Sequence, residues 1–149
     1  MKVEILIIKV SKCYPLRHKM LRKGKPLETC HFDGDNSKGT FHLGAIVDKE
    51  IIGIISIYEK ELSQFKNSKG AQFRGIAVAS KYQRKGVASK LINYAQKETI
   101  KRINPKYIWL NGRISANNLY LDRGFKPIGN PFELNTIGIH QRFIKMISG

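Results

Sequence analysis

Acidic residues are scarce in this chain: 11 Asp and Glu stand against 27 Lys and Arg, a formal net charge of +16 at pH 7. Such a surplus excludes neutralisation by the chain's own ion pairs and leaves a positive field for a partner to meet. Cysteine is scarcer still. Cys13 and Cys30 are the only two, too few for a disulfide scaffold and in keeping with a reducing, cytoplasmic setting. No apolar run approaches the ~20 residues that cross a bilayer, so no membrane partner is expected. The opening Met1-Lys2-Val3-Glu4-Ile5-Leu6-Ile7-Ile8-Lys9 has no small-residue cleavage site and reads as a strand rather than a signal peptide. Repeats, low-complexity tracts and long linkers are missing too, so residues 1–149 are expected to form a single domain. Zinc spacing is also lacking: Cys13, His18, Cys30, His31 and His42 match no ligand pattern, and no metal site is expected.

What is present is ordinary for a globular protein: 42% hydrophobic and 26% charged residues, which argues against disorder. The charge is unevenly spread. Residues 1–26 hold eight Lys and Arg against Glu4 alone, whereas residues 28–61 hold seven acids against three lysines. A solvated surface, a polyanionic small ligand and nucleic acid all fit a basic chain. Most aromatics fall within apolar runs instead of alternating with basic residues, which counts against nucleic acid.

The patterning predicts ten elements in the order β, α, β, β, β, α, β, α, β, β. Val3 to Val10 reads as a strand buried on both faces. Tyr14 to Arg22 reads as a short helix with Pro15 in its first turn. Gly24 to Gly39 is a loop. Thr40 to Val47 and Ile51 to Tyr58 form a hairpin. Ala71 to Ala79 is the next strand. In the following helix, Ala88, Leu91, Ile92, Ala95 and Thr99 repeat at helical spacing up to Asn104-Pro105. Tyr107 to Leu110 is a strand and Ser115 to Arg123 a helix that exits at Gly124. Phe125 to Ile128 and Ile137 to Ile147 are the last strands. The right-handed βαβ connection makes one strand pair parallel inside a mixed α/β sheet, mostly antiparallel, with helices on both faces.

Between the fourth strand and the long helix lies Gln83-Arg84-Lys85-Gly86-Val87-Ala88. A glycine-bearing turn entering a helix presents unpaired N–H groups and roughly half a positive charge to one point. Arg84 and Lys85 add two full charges. Such a turn suits a phosphate or pyrophosphate.

This segment, after Arg74-Gly75-Ile76-Ala77-Val78, resembles the acetyl-coenzyme-A motif of the GNAT superfamily, Gln/Arg-x-x-Gly-x-Gly/Ala. Further on, Ala116-Asn117-Asn118-Leu119-Tyr120-Leu121-Asp122-Arg123-Gly124-Phe125 resembles that superfamily's second signature. The resemblance implies a splayed parallel strand pair that holds acetyl-CoA as co-substrate. Contacts are then expected from Ile76, Ala77, Val78, Gln83, Arg84, Lys85, Gly86, Val87, Ala88, Arg113, Asn117 and Tyr120. Arg113 stands where the family commonly has asparagine. The Val78 amide is expected to face the thioester carbonyl as an oxyanion donor, and Tyr120 to protonate the departing thiolate.

The implied reaction is direct transfer to a primary amine of a small molecule or peptide. No nucleophile constellation suggests a covalent enzyme intermediate. A lysine-like amine costs about 4.6 kcal/mol to neutralise at pH 7, an α-amino group about 1 kcal/mol, so the first acceptor requires a base. Glu59 and Glu61 are candidates, and the acidic 28–61 segment suggests a cationic acceptor. By period-two alternation Arg74 shares a face with Ile76 and Val78 and is placed to clamp an acceptor carboxylate. A catalytically inactive acetyl-CoA-binding regulator and a basic nucleic-acid-binding module are the alternatives; a homodimer is left open.

Overall fold

Asp48 and Lys49 both take positive φ (48° and 68°), the two-residue turn whose twist suits a hairpin. It joins β2 (Phe41–Val47) to β3 (Glu50–Glu59). Around this hairpin the computed structural model, which describes residues 1–134 and 138–147, builds one seven-stranded sheet. The others are β1 (Glu4–Ile8), β4 (Gly70–Val78), β5 (Tyr107–Arg113), β6 (Lys126–Glu133) and β7 (Ile139–Met146). Their spatial order is β1-β2-β3-β4-β5-β7-β6, and β4–β5 is the parallel pair. All other pairs are antiparallel.

Helices cover both faces, as the element order predicts. The long helix α2 (Val87–Arg102) buries Val87, Leu91, Ile92 and Ala95 on one face, against Leu43, Ala45, Ile55, Ile57 and Phe73. Short α3 (Asn117–Leu121) adds Tyr120 to that core beside Phe125 and Phe143. On the opposite face, α1 (Tyr14–Leu16) sets Leu16, with Cys13, on Ile54 and Ala77.

The structure corrects five expectations. β1 is an edge strand and is not buried on both faces: Leu6 and Ile7 are 46% and 48% exposed, because a marginal strand has a neighbour on one side only. The Tyr14–Arg22 helix widens after one turn into a π-turn over Arg17–Leu21, closed by Arg22 N–H donating to Arg17 O at 2.9 Å. The Ser115–Arg123 helix shrinks to α3 after a 3₁₀ turn at Ile114–Ala116. The last strand starts at Ile139; Ile137 lies outside the described residues.

The fifth correction matters most. β3 and β4 pair as Ser56↔Arg74 and then Ile54↔Ala77, so Gly75 and Ile76 together oppose Ile55. This is a β-bulge, with Gly75 at φ +67°. The extra residue reverses parity. Phe73, Ile76 and Val78 face the α2 side, while Arg74 and Ala77 face the α1 side. Arg74 therefore does not share a face with Ile76 and Val78.

Candidate active site

The parallel ladder between β4 and β5 runs from Gly70↔Tyr107 to Phe73↔Leu110 and stops. Beyond it β4 bulges toward β3, and β5 continues with β7 alone as far as Arg113↔His140. The two strands part, leaving an opening bordered by backbone groups. Ala79 N–H donates to Ile52 O of β3 at 2.8 Å. By strict alternation the backbone of Ala77 also faces β3, and the amide and carbonyl of Val78 face the opening. Val78 therefore presents its N–H to the opening, and Ala77 presents its own to β3.

Gln83, Arg84, Lys85, Gly86, Val87 and Ala88 lie at the open end of β4. The Gln83 side chain donates to Val78 O at 3.0 Å, tying the turn to the strand. Arg84 and Gly86 both hold left-handed backbone (φ +61° and +82°). A Cβ on Gly86 would meet nothing within 4 Å, so the space above this backbone is open to a ligand. Lys90 N–H bonds Gly86 O; the amides of Val87, Ala88 and Ser89 precede that bond and have no carbonyl one turn back. No side chain caps them.

Across the opening, Tyr120 lies on Gly112 of β5 so closely that a Cβ there would sit 2.4 Å from the ring. Its ring packs on Phe143 at 5.2 Å and Phe125 at 6.4 Å. Burial pushes the phenol up to about 12, with the charge of Arg113 pulling the other way. The hydroxyl is therefore protonated at neutral pH, and no group among the described residues hydrogen-bonds it. Three residues before it, Asn117 Oδ1 is buried and has no hydrogen-bond donor among the described residues. Orphaned amides, an open glycine and an unpaired carbonyl oxygen together fit a ligand that carries phosphates and amides.

The acidic segment does not converge on the opening. Glu59 pairs with Ala71, at the opposite end of the β3–β4 ladder from Gly53↔Val78. Along β3 that is six residues, roughly 20 Å at ~3.4 Å per residue, which puts Glu59 too far from Val78 to act as a base there. Asp35 is instead drawn inside. Arg17, wholly buried, donates to both Asp35 oxygens (2.7 and 3.0 Å), to Ser56 Oγ (2.9 Å), to Tyr58 Oη (3.2 Å) and to Cys30 O (2.9 Å). Tyr58 Oη donates to Asp35 Oδ1 at 2.7 Å, and Phe32 N–H to Oδ2 at 2.8 Å. His42 bridges Ser56 Oγ (2.6 Å) and Asp35 O (3.1 Å). This network pins the 30–35 loop and the π-turn to β3. Sequence reasoning missed it. Its one trace is Ser56 and Tyr58, polar at alternate positions in a strand otherwise rich in isoleucine.

The network makes the fold acid-sensitive in two stages. Burial lowers the His42 pKa, the nearby Arg17 charge adding to the effect. Burial alone would raise the Asp35 carboxyl, but hydrogen bonds from Arg17, Tyr58 and the Phe32 amide hold it below the ordinary carboxylate range. Both folded values lie below the unfolded ones, so the stabilisation is complete above the unfolded pKa values and is lost as pH falls. Thermal midpoints are expected to drop first below about pH 6.5, through His42, and again below about pH 3.9, through Asp35. His42→Gln should abolish the first stage only, as read by melting curves between pH 3 and 8.

Cys13 and Cys30 are buried free thiols, and burial pushes Cys13 up to about 11. Among the described residues no group of three or more His, Cys, Asp or Glu could hold a metal. Nor is any helix there long and apolar enough to cross a membrane.

The model of the acetyltransferase (GNAT) domain matches residues 27–146. A Bacillus subtilis (strain 168) protein named as an uncharacterized N-acetyltransferase, YitI, is 29% identical over 138 residues, 93% of this chain and 92% of its own. In shape the chain is similar to the NatC complex bound to Gag peptide and CoA (TM-score 0.78, 18% identity, 99% and 100% of the two chains). It is also similar to Arabidopsis thaliana NAA60 in complex with acetyl-CoA (TM-score 0.76, 14% identity, 99% and 100%). The chain belongs to the GNAT acetyltransferase family, whose members are acetyl-CoA-dependent transferases.

Proposed function

We propose that the protein transfers an acetyl group from acetyl-CoA directly to a primary amine, and that Tyr120 is the general acid. The observation that carries this reading is the placement of Val78 N–H and Tyr120 on opposite sides of one opening in the sheet.

When bound, acetyl-CoA supplies an activated acyl carbonyl and a thiolate leaving group. The amides of the Arg84–Ala88 turn hold its pyrophosphate, with Arg84 and Lys85 beside them. Asn117 Oδ1 accepts from an amide of its pantetheine arm. Ile76 packs against the core and steadies the strand along which that arm runs. Val78 N–H donates to the oxygen on which charge develops as the amine attacks. Tyr120 gives its proton to the sulfur. Burial keeps the phenol protonated at neutral pH, and the thiolate takes that proton as the carbon–sulfur bond breaks.

Tyr120→Phe keeps the ring packing and removes the proton. Turnover in a thiol-release assay is expected to fall about 100-fold, with the acetyl-CoA dissociation constant from calorimetry unchanged. Undiminished turnover would remove Tyr120 as the acid. Absence of acetyl-CoA binding would overturn the whole reading.

A further inference from the structure

Three guanidinium groups gather on one aromatic ring at the α1 side of the opening. Arg17 lies 4.0 Å from the Phe32 centroid, Arg74 4.6 Å and Arg22 5.1 Å. Only Arg17 has a carboxylate, Asp35. Among the described residues neither Arg22 nor Arg74 forms an ion pair. Arg74 makes no hydrogen bond there, and Arg22 makes one, to its neighbour Leu21 O at 3.0 Å. Both are only half-buried, so their remaining N–H donors reach solvent. Arg113, at the far lip on β5, is exposed and likewise without a carboxylate.

Like charges crowded on a ring repel one another unless an anion joins them. The strain is visible at Arg22, whose pKa is lowered by burial and then by the charges of Arg74, Arg113 and Arg17. The arrangement is also built, not incidental. The bulge at Gly75 leaves Arg74 on the opposite face from Ile76 and Val78, the face of this ring, and a Cβ on Gly75 would press on Phe32 Cε2 at 3.2 Å. Phe32 itself is held by the Asp35 network.

We infer that Arg22 and Arg74, with Arg113 opposite, bind an anionic group on the acceptor, so that the substrate is a primary amine carrying a carboxylate or phosphate. This rests on the acetyltransferase reading for the amine alone; the anion site is defined by the arginines. A planar fork with unpaired N–H groups matches both anions. The site lies on the opposite face of the sheet from α2, so an acceptor held there by its anion approaches the opening from the side away from the turn that holds the pyrophosphate.

Two matched pairs test the inference: O-phosphoethanolamine with ethanolamine, and β-alanine with propylamine. Binding is measured by calorimetry with and without CoA, and acetylation by thiol release. The anionic member of each pair is expected to bind about 10- to 100-fold more tightly. Arg22→Gln with Arg74→Gln should erase that preference through KM, leave acetyl-CoA affinity unchanged, and be partly rescued by Arg74→Lys. Equal binding within both pairs, or a preference that survives in the double variant, overturns the anion site. Failure of acetyl-CoA to bind while the anion preference holds would overturn the transferase reading and leave the anion site standing. A preference for succinyl-CoA over acetyl-CoA that vanishes in the double variant would assign the anion to the acyl group and overturn the acceptor assignment.

Discussion

Asp35→Ala is expected to lower the unfolding free energy by about 3–5 kcal/mol, a large part of the 5–15 kcal/mol typical of a domain. The substitution leaves the Arg17 guanidinium wholly buried with its carboxylate gone. Tyr58 Oη and Phe32 N–H lose their acceptor at the same time. The cost is the stranded charge more than the lost contact. Pairing Asp35→Leu with Arg17→Met should therefore be milder than Asp35→Ala alone, because it removes both charges. Urea titrations of the three proteins check this. A single variant that loses less than about 1 kcal/mol would show that water reaches Arg17 and that the network does not anchor the 30–35 loop.

Gly112→Ala should damage turnover more than stability. The added methyl would meet the Tyr120 ring at 2.4 Å, and the ring is backed by Phe143 and Phe125, so it must move as a whole. Overpacking of this kind costs about 1–3 kcal/mol. Moving an acid by about 1 Å costs on the order of 100-fold in rate. The expected result is a folded protein with acetyl-CoA affinity within about twofold of wild type and kcat down roughly 100-fold. Adding Tyr120→Phe to it should then cost little more, because the two changes remove the same proton transfer. Additive losses would mean that Tyr120 acts in some way other than as the acid.

Much of the frame was legible in the chain. The runs read at Thr40–Val47 and Ile51–Tyr58 and the helical spacing from Ala88 to Thr99 mark elements whose burial is set by local pattern. The glycine-bearing turn from Gln83 to Ala88 was legible for the same reason, since its geometry follows from neighbouring residues. The bulge was not. Nothing in Arg74-Gly75-Ile76-Ala77 states that two residues will oppose one, and a single uncounted residue put Arg74 on the wrong face. The buried network was hidden for a related reason. Arg17 sits in a stretch crowded with basic residues, and only the folded chain shows which one meets Asp35, eighteen positions away. Glu59 closes the end of β3 far from Gly53↔Val78, and the sequence does not say which end of that strand borders the opening.

The bulge in β4 sits just past the point where the strand leaves β5: that ladder ends at Phe73↔Leu110, and Gly75 and Ile76 then share one partner on β3. Deleting Gly75 would set Ile76 opposite Ile55 and keep Arg74 opposite Ser56, so the arginine would stay on the face of Phe32. The direction of that side chain is therefore fixed by its own partner on β3, and the length of the strand beyond it can change without turning it round.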